Sequence, residues 1–151
     1  DLIKIHPNVH LMLIGEGPEK KRIFKLIQSL NLESNVTILN NQKNIGKFYN
    51  VFDIFLLPSK NEGLPLTLLE AQYNGLNIIA SMNINKTVDF TGNIIFCKLN
   101  SKIFLEHINN MIRYEANFNR NKISKSINKF TITEYTKKIT NLYHNILVSK
   151  I

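Results

Sequence analysis

Two glutamates, Glu62 and Glu70, lie eight positions apart around a glycine and a proline. The segment 58–71 that contains them begins where an apolar run ends and leads into a pattern of helical spacing. Because proline suits the first turn of a helix, we expect Pro65 to be the first helical residue. Leu64 would then be the N-cap, and its side chain has no acceptor for the first amide groups. The pattern therefore predicts a helix whose N-terminus is left uncapped.

An uncapped helix start of this kind suits an anion. Free N–H groups near Leu64, Leu66 and Thr67 would combine with the positive end of the helix dipole to favour a phosphate. Gly63 permits close approach of the backbone to a ligand. With Glu62 before the turn and Glu70 in the second helical turn, the segment predicts a site for ribose, diphosphate and sugar. The alternative is that both glutamates serve the helix alone, one as a partner of its dipole and the other on a solvated face.

Strands and helices alternate along the chain and would position this segment. The predicted strands cover 10–15, 36–39, 53–57, 77–81 and 94–97, and the predicted helices cover 18–30, 45–52 and 65–73. A further helical stripe starts at Ser101, and Thr131 or Thr133 could cap a last helix that runs through Ile146. This order predicts an α/β domain over residues 1–151, with a Rossmann-like parallel sheet flanked by helices and a helical C-terminal segment. Ligands of such sheets bind at the carboxyl ends of the strands.

Composition narrows the function classes without choosing one. The 151 residues carry a formal charge of +8, which fits nucleic acid, an anionic membrane surface or an anionic small ligand. The basic residues are scattered, so nucleic acid is not expected as a partner. Four histidines and the single Cys97 show no metal-ligand spacing, and we predict no metal. The N-terminus shows no secretory signal, and one cysteine fits a reducing cytosol.

The segment 58–71 resembles the E-x7-E signature of the retaining glycosyltransferases of family four. The Gly-acid-Gly-Pro loop at 15–18 and the stretches 35–40 and 48–59 are similar to further motifs of that family, in the same order. Residues 81–88 resemble its bacterial capsule and exopolysaccharide branch. The resemblance implies that the chain is the C-terminal, donor-binding lobe of a GT-B enzyme.

The resemblance also implies roles for individual residues. Glu62 would lie beside the anomeric carbon of the donor sugar and act electrostatically during front-face attack, while Glu70 would bind the ribose hydroxyls. The backbone at the helix start would hold the diphosphate and sugar, the end of the second strand would meet the base, and the first loop would touch the edge of the nucleotide. The residues in these donor-binding roles are Gly63, Leu64, Leu66, Thr67, Leu39, Asn40, Gly15 and Gly17.

The partners implied are a nucleoside diphosphate sugar, expected to be UDP-linked, and a glycan or lipid-linked acceptor. Such enzymes need no cofactor and no bound metal. They are cytoplasmic, and contact with an anionic membrane at the inner face would fit the positive charge. The family's acceptor-binding N-terminal lobe and a basic pair would precede Asp1, so the chain alone is not expected to turn over. Pro65 also departs from the family pattern, because it removes one amide that often contacts the donor.

Two other functions stay open at this point. A nucleotide-sugar epimerase uses the same two-lobed cleft, although its histidine and carboxylate set is not evident. A non-catalytic basic module would bind anionic lipid or nucleic acid. Its binding would collapse with salt and ignore substitutions at Glu62 or Glu70.

Overall fold

The computed structural model describes residues 1–114 together with Thr136, Thr140 and Asn141. The chain divides into two compact units, Asp1–Phe48 and Tyr49–Ile151. Each unit is built on parallel strands.

The first unit is a short parallel α/β unit. Its elements are α1 (Leu2–Ile5), β1 (Leu11–Ile14), α2 (Lys20–Ser29) and β2 (Val36–Leu39), and α3 (Gly46–Tyr49) crosses the unit boundary. Strands β1 and β2 pair in parallel, so that their carboxyl ends lie at the same edge.

Helix α2 begins two residues later than its apolar pattern predicts. Pro18 and Glu19 form a turn in which the Lys20 amide donates to the Gly17 carbonyl at 3.2 Å, and the helix follows from Lys20. Ile27 is the buried residue of its apolar stripe, whereas Phe24 is 55% exposed. Helical spacing therefore predicts the helix, and the burial of its apolar face depends on neighbours that the pattern does not reveal.

The second unit is a three-stranded parallel sheet in the order β3-β4-β5. Its elements are β3 (Ile54–Leu57), α4 (Leu66–Tyr73), β4 (Asn77–Ser81), a short 3-10 helix (Lys86–Val88), β5 (Ile94–Cys97) and α5 (Ser101–Tyr114). Both α4 and α5 contact the central strand β4, which is buried along its whole length. The apolar run of this strand follows from burial between two neighbouring strands and two helices.

The core of the second unit lies between β4, β5 and α5. Ile79 packs there with Cys97, Phe104 and Met111, and all four are less than one-tenth exposed. Burial raises the pKa of the Cys97 thiol, in keeping with a packing role. Ile78, whose side chain alternates with that of Ile79, is fully buried as well.

The predicted α/β class with parallel strands is confirmed. Hydrogen bonding divides the strands into sheets of two and three, a division that the sequence pattern does not show. The predicted helix 45–52 is shortened to α3, which ends at Tyr49 because a turn at Asn50 and Val51 leads into β3. Asparagine and β-branched valine are weak helix formers, which favours an end at this point.

Only part of the predicted C-terminal helical segment lies within the described residues. Helix α5 extends to Tyr114, and the isolated positions Thr136, Thr140 and Asn141 are helical and exposed. The proposed caps Thr131 and Thr133 and the rest of the last predicted helix lie outside the described residues. In the described part of the chain, no helix has the length and apolar character needed to cross a bilayer.

Candidate functional site

The helix start after β3 is uncapped. Pro65 is the N-cap, with ψ of 92° and no side-chain hydrogen bond, and the first helical residue is Leu66. The prediction that Pro65 opens the helix is therefore wrong by one position, because its extended ψ places it outside the helix. Its carbonyl accepts from the amides of Leu68 and Leu69 at 3.0 and 3.3 Å. Among residues 1–114, none accepts a hydrogen bond from the amides of Leu66 and Thr67.

Helix α4 presents two different faces. Leu68, Ala71 and Gln72 are buried against the unit, with exposures of 0 to 1%. Leu66 is 63% exposed, and Thr67 and Glu70 are exposed as well. Residues three and four positions apart share a helix face, so Glu70 lies on the same side as Leu66 and Thr67. The exposed face therefore combines free amides with a carboxylate about 6 Å further along the axis.

The loop between β3 and α4 is held by two polar contacts, one within the loop and one from Asn83, which follows β4. The Ser59 hydroxyl donates to the Asn61 carbonyl at 3.1 Å, and the Asn83 amide donates to the Lys60 carbonyl at 3.1 Å. Glu62 is half-buried in this loop. An added Cβ at Gly63 would meet no atom within 4 Å, so the space over its backbone is open. Leu64, which follows, is 61% exposed.

Glu70 is held by a buried tyrosine. The Tyr49 hydroxyl donates to Oε2 of Glu70 at 2.9 Å and lies 3.4 Å from the Thr67 carbonyl. Burial raises the pKa of Tyr49 well above its usual range, and the hydrogen bond to Glu70 and the charge of that carboxylate act in the same direction. The hydroxyl therefore stays protonated and remains a donor at physiological pH.

The predicted residues of the first unit lie at the carboxyl ends of its strands. The Gly15 amide donates to the Leu39 carbonyl at 3.0 Å, and Gly15 has a φ of +150° that disfavours other residues. The Lys20 amine donates to Oδ1 of Asn40. Gly17 has open space where a Cβ would stand. These four positions share the edge at which parallel sheets bind ligands.

The ten predicted residues thus form two groups, one in each unit. Glu62, Gly63, Leu64, Leu66, Thr67 and Glu70 lie along one loop and helix start, and Gly15, Gly17, Leu39 and Asn40 lie at the ends of β1 and β2. Their roles in binding stay predictions.

Tyr49, which contacts Glu70, is not among the predicted site residues, because its helical spacing with Phe48 and Phe52 indicates core packing. A signal existed, since a buried tyrosine hydroxyl needs a hydrogen-bond partner. The tertiary structure alone identifies that partner.

The described residues contain no group of three or more His, Cys, Asp or Glu side chains placed to hold a metal ion. An anionic ligand at this site would meet backbone amides and the positive end of the helix dipole. The arrangement can therefore take up a phosphate group beside a carboxylate that accepts hydroxyl donors.

Comparison with known proteins identifies the family and several relatives of this chain. Residues 1–130 match the family described as Glycosyl transferases group 1. The chain is 31% identical over 103 residues to an "Uncharacterized glycosyltransferase" of Haemophilus influenzae, covering 66% of this chain and 29% of that protein. It is 29% identical to the UDP-Gal:alpha-D-GlcNAc-diphosphoundecaprenol alpha-1,3-galactosyltransferase of Escherichia coli, covering 95% of this chain and 39% of that enzyme. The chain therefore spans less than half the length of these relatives.

The fold is shared with solved structures. The pneumococcal O-GlcNAc transferase GtfA, in complex with UDP and GlcNAc, matches 97% of this chain with a TM-score of 0.78 and 18% identity. This chain covers 31% of that protein. At such low identity the likeness establishes the fold alone.

Proposed function

The chain belongs to the Glycosyl transferases group 1 family, and on that premise we propose that it is the donor-binding domain of a glycosyltransferase. The proposed reaction transfers a sugar, with retention, from a UDP-sugar to a glycan or lipid-linked acceptor. A separate N-terminal lobe would bind the acceptor and complete the enzyme.

The observation that carries the proposal is the uncapped start of α4. Two amides that no acceptor among residues 1–114 satisfies lie at the start of a helix that carries Glu70 on its exposed face, and an open glycine lies in the loop before it. A solvated surface helix gains stability from a side-chain cap, which this helix lacks. A diphosphate that accepts from the amides of Leu66 and Thr67 would fill the role of the cap.

The chemistry follows from where charge develops. As the bond between the anomeric carbon and the diphosphate breaks, negative charge grows on the leaving group, and fixed amides at a helix start stabilise it. Glu62, just before the helix, would face the positive charge that develops on the sugar ring. Glu70 would accept from the ribose hydroxyls and thereby orient the donor. In this proposal no step requires a metal ion.

The choice of donor and acceptor rests on the relatives. The Escherichia coli relative is named for UDP-galactose and a diphosphoundecaprenol-linked acceptor, and the pneumococcal structure contains UDP. A lipid-linked acceptor would place the enzyme at the cytoplasmic face of the membrane, where a charge of +8 favours anionic lipid. A role in capsule or exopolysaccharide synthesis is part of the same proposal.

Calorimetric titration of the 151-residue chain with UDP and GDP tests the donor site. The variant Glu70→Gln keeps the size of the side chain and removes its charge. Glu106→Gln, at an exposed position of α5, is the matched control. We expect saturable UDP binding that Glu70→Gln weakens by about 10-fold to 100-fold, since a hydrogen bond to a charged group contributes about 1.5–3 kcal/mol.

Salt dependence separates this function from that of a basic module. Binding that shows no preference between UDP and GDP, is lost at moderate salt and is equal in both variants would overturn the proposal in favour of anionic lipid or nucleic acid. If the chain does not bind UDP at all, the proposal is overturned too.

A further inference from the structure

The Tyr49 hydroxyl has one proton and two oxygens within reach. Oε2 of Glu70 lies at 2.9 Å and the Thr67 carbonyl at 3.4 Å, and a hydroxyl can donate to only one acceptor at a time. The shorter contact is to a carboxylate, and charge-assisted hydrogen bonds are the stronger kind. The Tyr49 hydroxyl therefore donates its proton in the hydrogen bond to Glu70.

The tyrosine ring is itself held in place. Tyr49 is 2% exposed, and its ring centroid lies 6.1 Å from that of Phe52 and 5.9 Å from that of Phe55. The two contacts are edge-on and tilted, at 87° and 55°, which are favourable aromatic geometries. The hydroxyl is thus a donor fixed by the core, and its raised pKa keeps it protonated.

Glu70, by contrast, lies at an exposed position where a glutamate side chain ordinarily samples several rotamers. The tyrosine holds Oε2, and among residues 1–114 no donor bonds to the other oxygen, Oε1. A carboxylate restrained at one oxygen presents its second oxygen in a defined place.

We propose that Tyr49 is a positioning residue, which restrains the Glu70 carboxylate so that Oε1 accepts from the ribose hydroxyls of the nucleotide. The inference deepens the proposed function and rests on it. Because the restraint is present before the ligand arrives, binding does not have to order the glutamate side chain. Tyr49 therefore sets how strongly the site distinguishes ribose from a sugar without hydroxyls.

A tyrosine that only fills the core would behave differently. Its hydroxyl would contribute to stability, and its loss would change the affinity for all nucleotides in the same proportion. A positioning role predicts an effect confined to ligands that carry ribose hydroxyls. Two affinities therefore separate the two roles, one for a nucleotide with ribose hydroxyls and one for a nucleotide without them.

The experiment titrates the 151-residue chain with UDP and with 2′,3′-dideoxy-UDP, which lacks both ribose hydroxyls. Tyr49→Phe removes the hydroxyl and keeps the ring, and Tyr114→Phe, at a position 79% exposed, is the matched control. We expect Tyr49→Phe to weaken UDP binding by about threefold to tenfold, because binding must then order the glutamate side chain, and to leave dideoxy-UDP within about twofold. In a Glu70→Ala background, which removes the acceptor of the Tyr49 hydroxyl, Tyr49→Phe should have no further effect.

An equal loss for both nucleotides, or no loss for UDP, overturns the positioning role. A failure of the proposed function looks different, because wild-type chain would then bind UDP and dideoxy-UDP alike and Glu70→Gln would change neither. Circular dichroism checks that Tyr49→Phe folds. Should it not fold, Glu70→Asp draws the carboxylate back from the hydroxyl without altering the core, and an undiminished preference for UDP in that variant overturns the inference.

Discussion

Replacing Gln72 with methionine should destabilise the second unit. Gln72 is 1% exposed and connects α4 with the segment that follows β4. Its Nε2 donates to the Val88 carbonyl at 2.9 Å, and its Oε1 accepts from the Phe90 amide at 2.9 Å. Methionine has a similar length and volume, so the change removes these bonds without opening a cavity.

The magnitude follows from the groups that lose their partners. Nε2 also donates to the Leu68 carbonyl at 3.3 Å, and the Thr91 hydroxyl lies 3.3 Å from Oε1. Leu68 keeps its helical hydrogen bond, and Thr91 keeps a contact with Asp89 at 3.5 Å. The Val88 carbonyl then loses its hydrogen-bond donor, at a cost of about 1–3 kcal/mol. The lost hydrogen bond from the Phe90 amide adds about 1 kcal/mol, the net contribution of a typical hydrogen bond, so we expect about 2–4 kcal/mol in total.

Urea denaturation followed by far-UV circular dichroism measures this effect. The midpoint should fall by about 1–2 M with an unchanged slope, since the slope for a small protein is about 1–3 kcal/mol per molar urea. Gln28→Met, at an exposed position of α2, is the matched control and should change the free energy of unfolding by less than about 0.5 kcal/mol. If both variants unfold at the same midpoint, the reasoning from the lost hydrogen bonds of Gln72 is refuted.

Three further predictions concern Gly63, Gly92 and Tyr49. Gly63→Ala should leave the free energy of unfolding within about 0.5 kcal/mol of wild type, because an added Cβ meets no atom within 4 Å, and should weaken UDP binding by about tenfold or more. Gly92→Ala should do the reverse. Because Gly92 has a φ of +73°, the substitution should lower the free energy of unfolding by about 1–2 kcal/mol and leave the calorimetric affinity for UDP unchanged. The raised pKa of Tyr49 predicts stability that is fully present below about pH 10 and declines as the pH rises further, since the unfolded tyrosine then releases its proton first. Urea midpoints measured across this range should decline less steeply in Tyr49→Phe, and equal slopes would contradict the linkage.

Much of the fold could be predicted from the sequence because its signals are local. Strands β2, β4 and β5 are found at their predicted positions, since short apolar runs bounded by turn residues indicate buried parallel strands. The uncapped start of α4 was also predictable, because Leu64 and Pro65 have no side-chain acceptor. Element ends were less certain, as the one-residue shift at Pro65 and the shortening of α3 show.

The sequence by itself determined the class of the fold, the family and the order of the candidate site residues, because spacing along a chain sets strand, turn and helix periods. Only the tertiary structure decided which side chains meet. It joins the hydroxyl of Tyr49 to Glu70, 21 positions away, and ties Gln72 to Val88 across 16 positions. Each of these contacts depends on how α4 packs within its unit, and a buried polar group finds its partner by distance in space rather than by distance in sequence.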